Sequence, residues 1–281
     1  MTGRKHTFLA WLNHAETATV TADREVPALP ASKLLLPQVG RRYAVAGLTE
    51  GDTVSHVDLD FGAPVPIGVI AWLRPRLPLR DELAGRTVGL IATDPVRHQL
   101  SLEEAGGAEV YDSDWVPSGI APGLGYHVHL PAGVRGQAVA RYARFSFDAQ
   151  SRTEAPDDFA WWGWCSYGPA HWFRIGYAAP FREGFEDAGI VQRAAKSPTD
   201  YRSPGTGSWR TWSVPFRSVP SDEVPALRDA LFATPTGAPV LFCRDAANPH
   251  AATLRARIET RAIEQASRAY HRLPLPLTET F

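Results

Sequence analysis

The sequence predicts a mainly β chain: a β-sandwich of short strands, followed by a smaller β-rich part carrying one helix. Three observations lead there. Proline is abundant, with 24 residues, many in or beside apolar runs (Pro27, Pro30, Pro37, Pro64, Pro66, Pro75, Pro78). A residue that fixes φ and lacks a backbone donor favours short strands and structured turns over long helices. Short apolar or alternating segments also recur between Gly, Pro, Asp and Ser, which is the spacing of a sandwich. Beyond residue 208 the pattern changes to strand, helix, strand.

The elements follow in order. Strands are expected over 18–22, 54–61, 67–73, 87–92, 126–130 and 141–147, with a helical turn or two over 31–36 that Pro37 stops. In "HVDLDFGAPVPIGVIAWLRPRL", Val57, Leu59 and Phe61 alternate with Asp58 and Asp60 before Gly62, and an apolar run follows from Ile67 to Leu73. Leu59, Phe61, Ile70 and Trp72 therefore form a two-strand core element, of which at least three should be buried. A polar connector after Asp148 leads into a run with Trp161, Trp162, Trp164 and Trp172, read as a strand bulged at Gly163 or Gly168. Residues 182–208, polar and Gly-rich, read as an extended arm. A helix is expected over 221–233: Ser221 is a plausible N-cap, Asp222 and Glu223 suit the positive dipole end, and Pro225 is tolerated in the first turn. Val224, Leu227, Leu231 and Phe232 give it an apolar stripe. Pro235 and Gly237 end it, a short strand covers 240–243, and alternation supports a strand from Leu254 through about Arg261, after which 262–269 reads equally well as helix.

Composition bounds the function. The chain has 281 residues, enough for two domains, 44% hydrophobic residues and a net charge of -1. Balanced charge removes the signature of a general nucleic-acid binder. No apolar run approaches the ~20 residues that span a bilayer. The N-terminal apolar stretch, 8–12, is shorter than the roughly 7–15 residues of a signal-peptide core, so the expectation is a protein made in the cytoplasm. Cys165 and Cys243 match no zinc or redox spacing and read as two buried thiols.

Chemistry is hard to find. His127 and His129 share a strand face and could bind metal, but a third ligand from Glu109, Asp112 or Asp114 would be needed; the expectation is a metal-independent, cofactor-free fold. Asp58 and Asp60 are about 7 Å apart by strand rise, a separation that suits glycoside hydrolysis. Nothing marks a carboxyl of raised pKa, so they read as a solvated face. There is no GxSxG elbow and no phosphate loop. No enzyme is expected. The Trp cluster could stack sugars or pack a core. The Arg255, Arg257, Arg261 comb could grip an acidic partner or guard an edge.

"VSHVDLDFGAPVPIGVIAWLRPRL", "RTVGLIATD" and "ARYARFSFDA" resemble the strands of galactose-binding-like domains, the jelly-roll sandwich shared with discoidin modules. The likeness spans roughly 17–150. "RTWSVPFRSVPSDEVPALRDALFATPTGAPVLFCRD", the "DAANPH" loop and the terminal "LPLPLTETF" resemble tail-tip and baseplate proteins of long-tailed bacteriophages or gene-transfer particles. Together these resemblances imply a galactose-binding-like sandwich over 1–178, then an arm and a small β-rich domain over 179–281. They also imply a structural, homo-oligomeric component of a virion tail, assembling with other tail proteins. Phe185, Ile190, Val191, Tyr201, Arg255, Arg257 and Arg261 are its candidate assembly contacts. The alternative is a carbohydrate-binding module for cell-surface glycans, with Trp161, Trp162, Trp164, Trp172 or the loop 112–115, including Trp115, as platform.

Overall fold

In the computed structural model of the chain, the described residues are 6–36, 43–45, 47–48, 51–73, 92–120, 125–149, 160–187, 190–193, 200–203, 208–234, 238–259 and 262–280. They form a mainly β, layered molecule. A front sheet runs in the order Thr19–Ala22, Val54–Ile67, Ala138–Asp148, Pro95–Ser101 and Tyr111–Asp112, with Val116–Pro117 also paired to Pro95–Ser101. A back sheet consists of Trp164–Gly168, Val69–Leu73 and Tyr126–His129, and a separate pair joins Tyr43–Val45 to Ala160–Trp162. The chain passes from front to back and forward again with almost every strand: Val54–Ile67, Val69–Leu73, Pro95–Ser101, Tyr126–His129, Ala138–Asp148, Trp164–Gly168. That alternation is the winding of a jelly-roll sandwich.

The predicted core element is present. Leu59, Ile70 and Trp72 are buried, and Phe61 is partly buried against the same core, its ring 5.7 Å from Tyr167. Trp72 stacks on Phe145 at 4.1 Å, and Trp162 meets both edge-on. Every residue of Val69–Leu73 is buried, because the back sheet is covered on both faces. Ile70 and Trp72 point into the sandwich, while Val69, Ala71 and Leu73 pack with Phe8, Ala10, Leu241 and Cys243 of a third sheet. A strand buried on both faces reads as a continuous apolar run rather than an alternation.

The third sheet has the order His171–Trp172, Phe8–Ala10, Val240–Cys243, Thr253–Ile258, Tyr270–Glu279, Ser208–Pro220, Arg182–Asp187, with Glu264–Gln265 beside Tyr270–Glu279. Its strands thus come from both ends of the sequence. On the face away from the sandwich, Leu9, Trp212, Val214, Phe216, Phe242, Leu254, Leu273, Leu275 and Leu277 pack with Val224, Leu227 and Leu231 of helix α1 (Val224–Ala233).

Several expectations need correction. The helix begins at Val224 with Glu223 as the cap residue; the Ser221 hydroxyl donates instead to the Arg268 carbonyl. Phe232 does not join the apolar stripe and is 77% exposed. Part of the arm is sheet: Arg182–Asp187 pairs along Ser208–Ser213 of Ser208–Pro220, and Ile190–Arg193 pairs with Asp200–Ser203. Residues 262–269 contain the short strand Glu264–Gln265 and no helix. A one-turn helix, α2 (Pro249–Ala252), precedes Thr253–Ile258. Of the strand expected over 87–92, all but Ala92 lies outside the described residues, as do Pro235 and Gly237. Cys165 and Cys243 are both free and buried.

Candidate functional site

The front sheet turns a charged face to solvent. Arg144 Nε and Nη2 donate to the two Asp58 carboxylate oxygens at 2.6 and 2.7 Å, and Arg141 grips Asp60 in the same fork at 3.0 and 3.1 Å. Each pair sits on directly opposed or adjacent positions of Val54–Ile67 and Ala138–Asp148, where opposite charges support the ladder. The Arg141 fork, helped by the Gly62 N–H, holds the Asp60 carboxyl below the usual range. A general acid needs the opposite shift, which Asp60 does not have.

Trp115 stands at one side of this sheet on a braced loop. Before it, Tyr111–Asp112 pairs with Gln99 and Leu100; after it, Val116 and Pro117 pair with Val96 and Pro95. Both flanks are therefore pinned to the one strand Pro95–Ser101. Ser113 N–H donates to the His98 carbonyl at 3.0 Å, and the Ser113 hydroxyl accepts the His98 N–H at 2.8 Å. Arg97 forks onto Asp112, with Nε at 2.8 Å, and Asp112 accepts the Asp114 N–H at 2.9 Å. Arg97 is the main cause of the lowered Asp112 pKa. Asp114 has φ of 53°, a left-handed conformation that Asp tolerates better than most residues. The result is an indole 43% exposed, next to an exposed carboxylate, on a loop held by side chains rather than by burial.

The other tryptophans do not make a platform. Trp162 is in the sandwich core. Trp164 is buried on the opposite face of the back sheet, with the Arg255 guanidinium 4.6 Å above its ring. Trp172 packs on Phe8 at 5.0 Å and is partly buried. Trp161 lies in the strand Ala160–Trp162, paired opposite Ala44, and its side chain is outside the described residues. A dense aromatic run whose members alternate between two covered faces is a core signal, and among the described residues the most exposed tryptophan, Trp115, lies outside that run.

The arginine comb is also corrected. Arg255 is buried, donating to the Thr280 carbonyl and hydroxyl at 3.0 Å, and burial lowers its pKa to about 10. Arg257 is half-exposed and paired to Glu259 at 2.7 Å, and Arg261 lies outside the described residues. Phe185 is 70% exposed on the strand Arg182–Asp187. Ile190, Val191 and Tyr201 occupy the paired strands Ile190–Arg193 and Asp200–Ser203, with side chains outside the described residues. Sequence reading missed a buried ion pair, Arg210–Glu279 at 2.7 Å, where Glu279 also accepts the Tyr126 hydroxyl at 3.1 Å.

His127 and His129 lie on the edge strand of the back sheet, Tyr126–His129, and face into the sandwich. They meet His98 from the front sheet and His250 from α2. The rings lie nearly parallel, 9° to 25° apart for these contacts. Among the described residues no group of three or more His, Cys, Asp or Glu side chains is arranged to hold a metal. His98 Nε2 and His127 Nε2 are hydrogen-bonded at 2.7 Å. His98 was not singled out in the sequence; its signal was the alternation of Val96, His98 and Leu100 with Arg97 and Gln99.

No protein-family model and no curated protein sequence matches the chain. Solved structures similar to it include a His 62 mutant of the lectin binding domain of Lectinolysin complexed with Lewis b (TM-score 0.38, 10% identity, 56% of this chain and 96% of that one). The family 32 carbohydrate-binding module from C. perfringens NanJ, in complex with galactose, is similar at TM-score 0.38 and 12% identity, over 57% of this chain and 98% of that one. A Streptococcus pneumoniae fucose binding module is similar at TM-score 0.37 and 8% identity, over 56% and 94%.

Proposed function

We propose that the chain is a non-catalytic recognition protein whose sandwich holds a neutral glycan against Trp115. One observation carries this reading: an exposed indole on a loop fixed at both flanks, beside the Asp114 carboxylate. An aromatic face suits the C–H face of a sugar ring, and a carboxylate accepts hydrogen bonds from sugar hydroxyls. Pre-fixing the loop lowers the ordering cost of binding. Galactose and Lewis b are what two of the similar structures hold; for this chain the support is the loop itself.

The test is a glycan array probed with the full chain and with Trp115→Ala. Binding of the parent to at least one neutral glycan, lost in Trp115→Ala, is expected. An array on which the parent binds nothing, or on which both proteins bind alike, overturns the reading.

A second reading is a structural component of a phage-type tail tip, homo-oligomeric and located in the virion tail. It is favoured by the large apolar side chains that the C-terminal part leaves in solvent, Phe185 at 70% and Phe232 at 77% exposed. Analytical ultracentrifugation of the parent against a Phe185→Ser, Phe232→Ser variant tests it. Concentration-dependent association that the double variant loses supports assembly, and a parent that stays monomeric removes its basis.

A further inference from the structure

The four histidines lie where three layers meet. His98 comes from the front sheet, His127 and His129 from the back sheet, and His250 from α2, the short helix leading into a third-sheet strand. His98 and His127 are fully buried, and His129 and His250 are partly so. The protonation pattern of the central pair follows from its partners. His127 Nδ1 is 2.6 Å from the Ser118 carbonyl, which can only accept. His127 Nδ1 therefore carries the hydrogen and its Nε2 accepts, so His98 Nε2 donates. That leaves His98 Nδ1 bare and, among the described residues, without a partner. His250 Nδ1 accepts the Val128 N–H at 3.1 Å, and its ring stacks on His127 at 5.2 Å. His129 Nε2 meets the Tyr111 hydroxyl at 2.7 Å. The rings of His98, His127 and His250 are thus placed for their neutral forms.

We propose that these four imidazoles form an acid-released latch, which holds α2 against the sandwich at neutral pH and lets it go on acidification. A proton on His250 Nδ1 sets two donors face to face and breaks the bond to Val128. A proton on His127 Nε2 keeps the bond to His98 only if His98 moves its own hydrogen to Nδ1, where it meets no acceptor among the described residues. The ring of His250 also lies directly on Gly119: a Cβ there would meet it at 2.4 Å.

The other groups packed on the cluster are Phe145 from the front sheet, the Ser118 carbonyl, Gly119 and the Tyr111 phenol. Behind Ser118 lies the buried Asp94, whose carbonyl accepts the Ser118 N–H at 2.9 Å. Arg97 points away, to Asp112. Among the described residues no carboxylate shifts the four rings; Asp112 and Asp114 act on Tyr111, one residue further out. Burial is accordingly the main cause that lowers all four pKa values, well below 6.5 for His98, to about 3 for His127 and to about 4 for His129, with the neighbouring imidazoles adding to it for those three. The sign follows. Groups whose closed-state pKa is depressed bind more protons once released, so closure is intact above the free-histidine pKa of 6.5 and weakens as pH falls below it, towards the depressed values. Each additional proton bound on opening raises the opening equilibrium about tenfold per pH unit.

Native-state amide exchange of the full chain, corrected for the intrinsic pH dependence of exchange, tests the latch between neutral pH and pH about 4.5, a range that brackets the free-histidine value. Val128 reports the latch, and Val57 and Leu59, in the front-sheet ladder, report the sandwich. In the parent, protection at Val128 should fall about tenfold or more per pH unit below the free-histidine value while Val57 and Leu59 stay protected. His250→Asn keeps an acceptor near the Nδ1 position but cannot take up a proton, and should lower the slope by about one proton. His129→Gln, which keeps a partner for Tyr111, should lower it similarly. Undiminished Val128 protection at the acid end, an unchanged slope in the variants that fold, or simultaneous loss at Val128, Val57 and Leu59 would each overturn the latch.

Discussion

At the scale of single residues, burial sorts side chains that the sequence presents as equals. Leu59 is 1% exposed in the sandwich core, and Leu59→Ala should cost roughly 2–5 kcal/mol in a denaturant melt, the usual range for a buried leucine. Gly168 gives a sharper case: a Cβ built on it would lie 1.9 Å from the Leu12 carbonyl oxygen. Backbone rather than a flexible side chain occupies the space, so Gly168→Ala should force the segment around Leu12 away from the back sheet. The expected loss is at least about 1–3 kcal/mol, as for other overpacked sites, read from the same melts. Tryptophan shows why identity alone misleads. Trp162 and Trp164 are two positions apart yet belong to different cores, one on each side of the structure's central layers.

At the scale of elements, legibility followed periodicity. Val54–Ile67, Val69–Leu73 and α1 carry clear period-two, continuous-apolar and helical patterns, and each was readable. Tyr270–Glu279 was not, because Pro274 and Pro276 argue against an interior strand. The structure accommodates them by pairing: the stretch from Leu273 to Pro276 has Ser208–Pro220 on one side, while Thr253–Ile258 pairs only with Leu277 to Glu279 on the other. Leu273, Leu275 and Leu277 still alternate into the core, so the signal was present beneath the prolines. Residues 182–208 failed for another reason. Charged and Gly-rich, their few apolar residues show no period, and Arg182–Asp187 is a strand because Ser208–Pro220 offers it an open edge. Alternate amides of Arg182–Asp187 should therefore exchange more slowly than those of the turn 131–137 in the free protein, measured by hydrogen exchange. The candidate site divided likewise: the loop 112–115 was legible as a Trp among acidic residues, whereas the histidine cluster, spread over three segments, required the tertiary fold.

At the scale of the whole molecule, the sandwich and the C-terminal part share an apolar boundary. Val69, Ala71, Leu73, Val128 and Trp164 of the back sheet are buried against Phe8, Ala10, Leu241 and Cys243. A chain cut after residue 178 would bare that face and leave Phe8–Ala10 without Val240–Cys243. Such a fragment is expected to aggregate or to melt well below the full chain, and size-exclusion chromatography with a thermal scan checks this. The third sheet also has a kinetic side. During synthesis, Phe8–Ala10 leaves the ribosome long before the strand it must flank, Val240–Cys243, has been translated. Strand pairing across so large a sequence separation is slow to nucleate. Until the last quarter of the chain emerges, the nascent protein carries an unpaired edge and a bare apolar sheet, the features that bring newly made chains to chaperones.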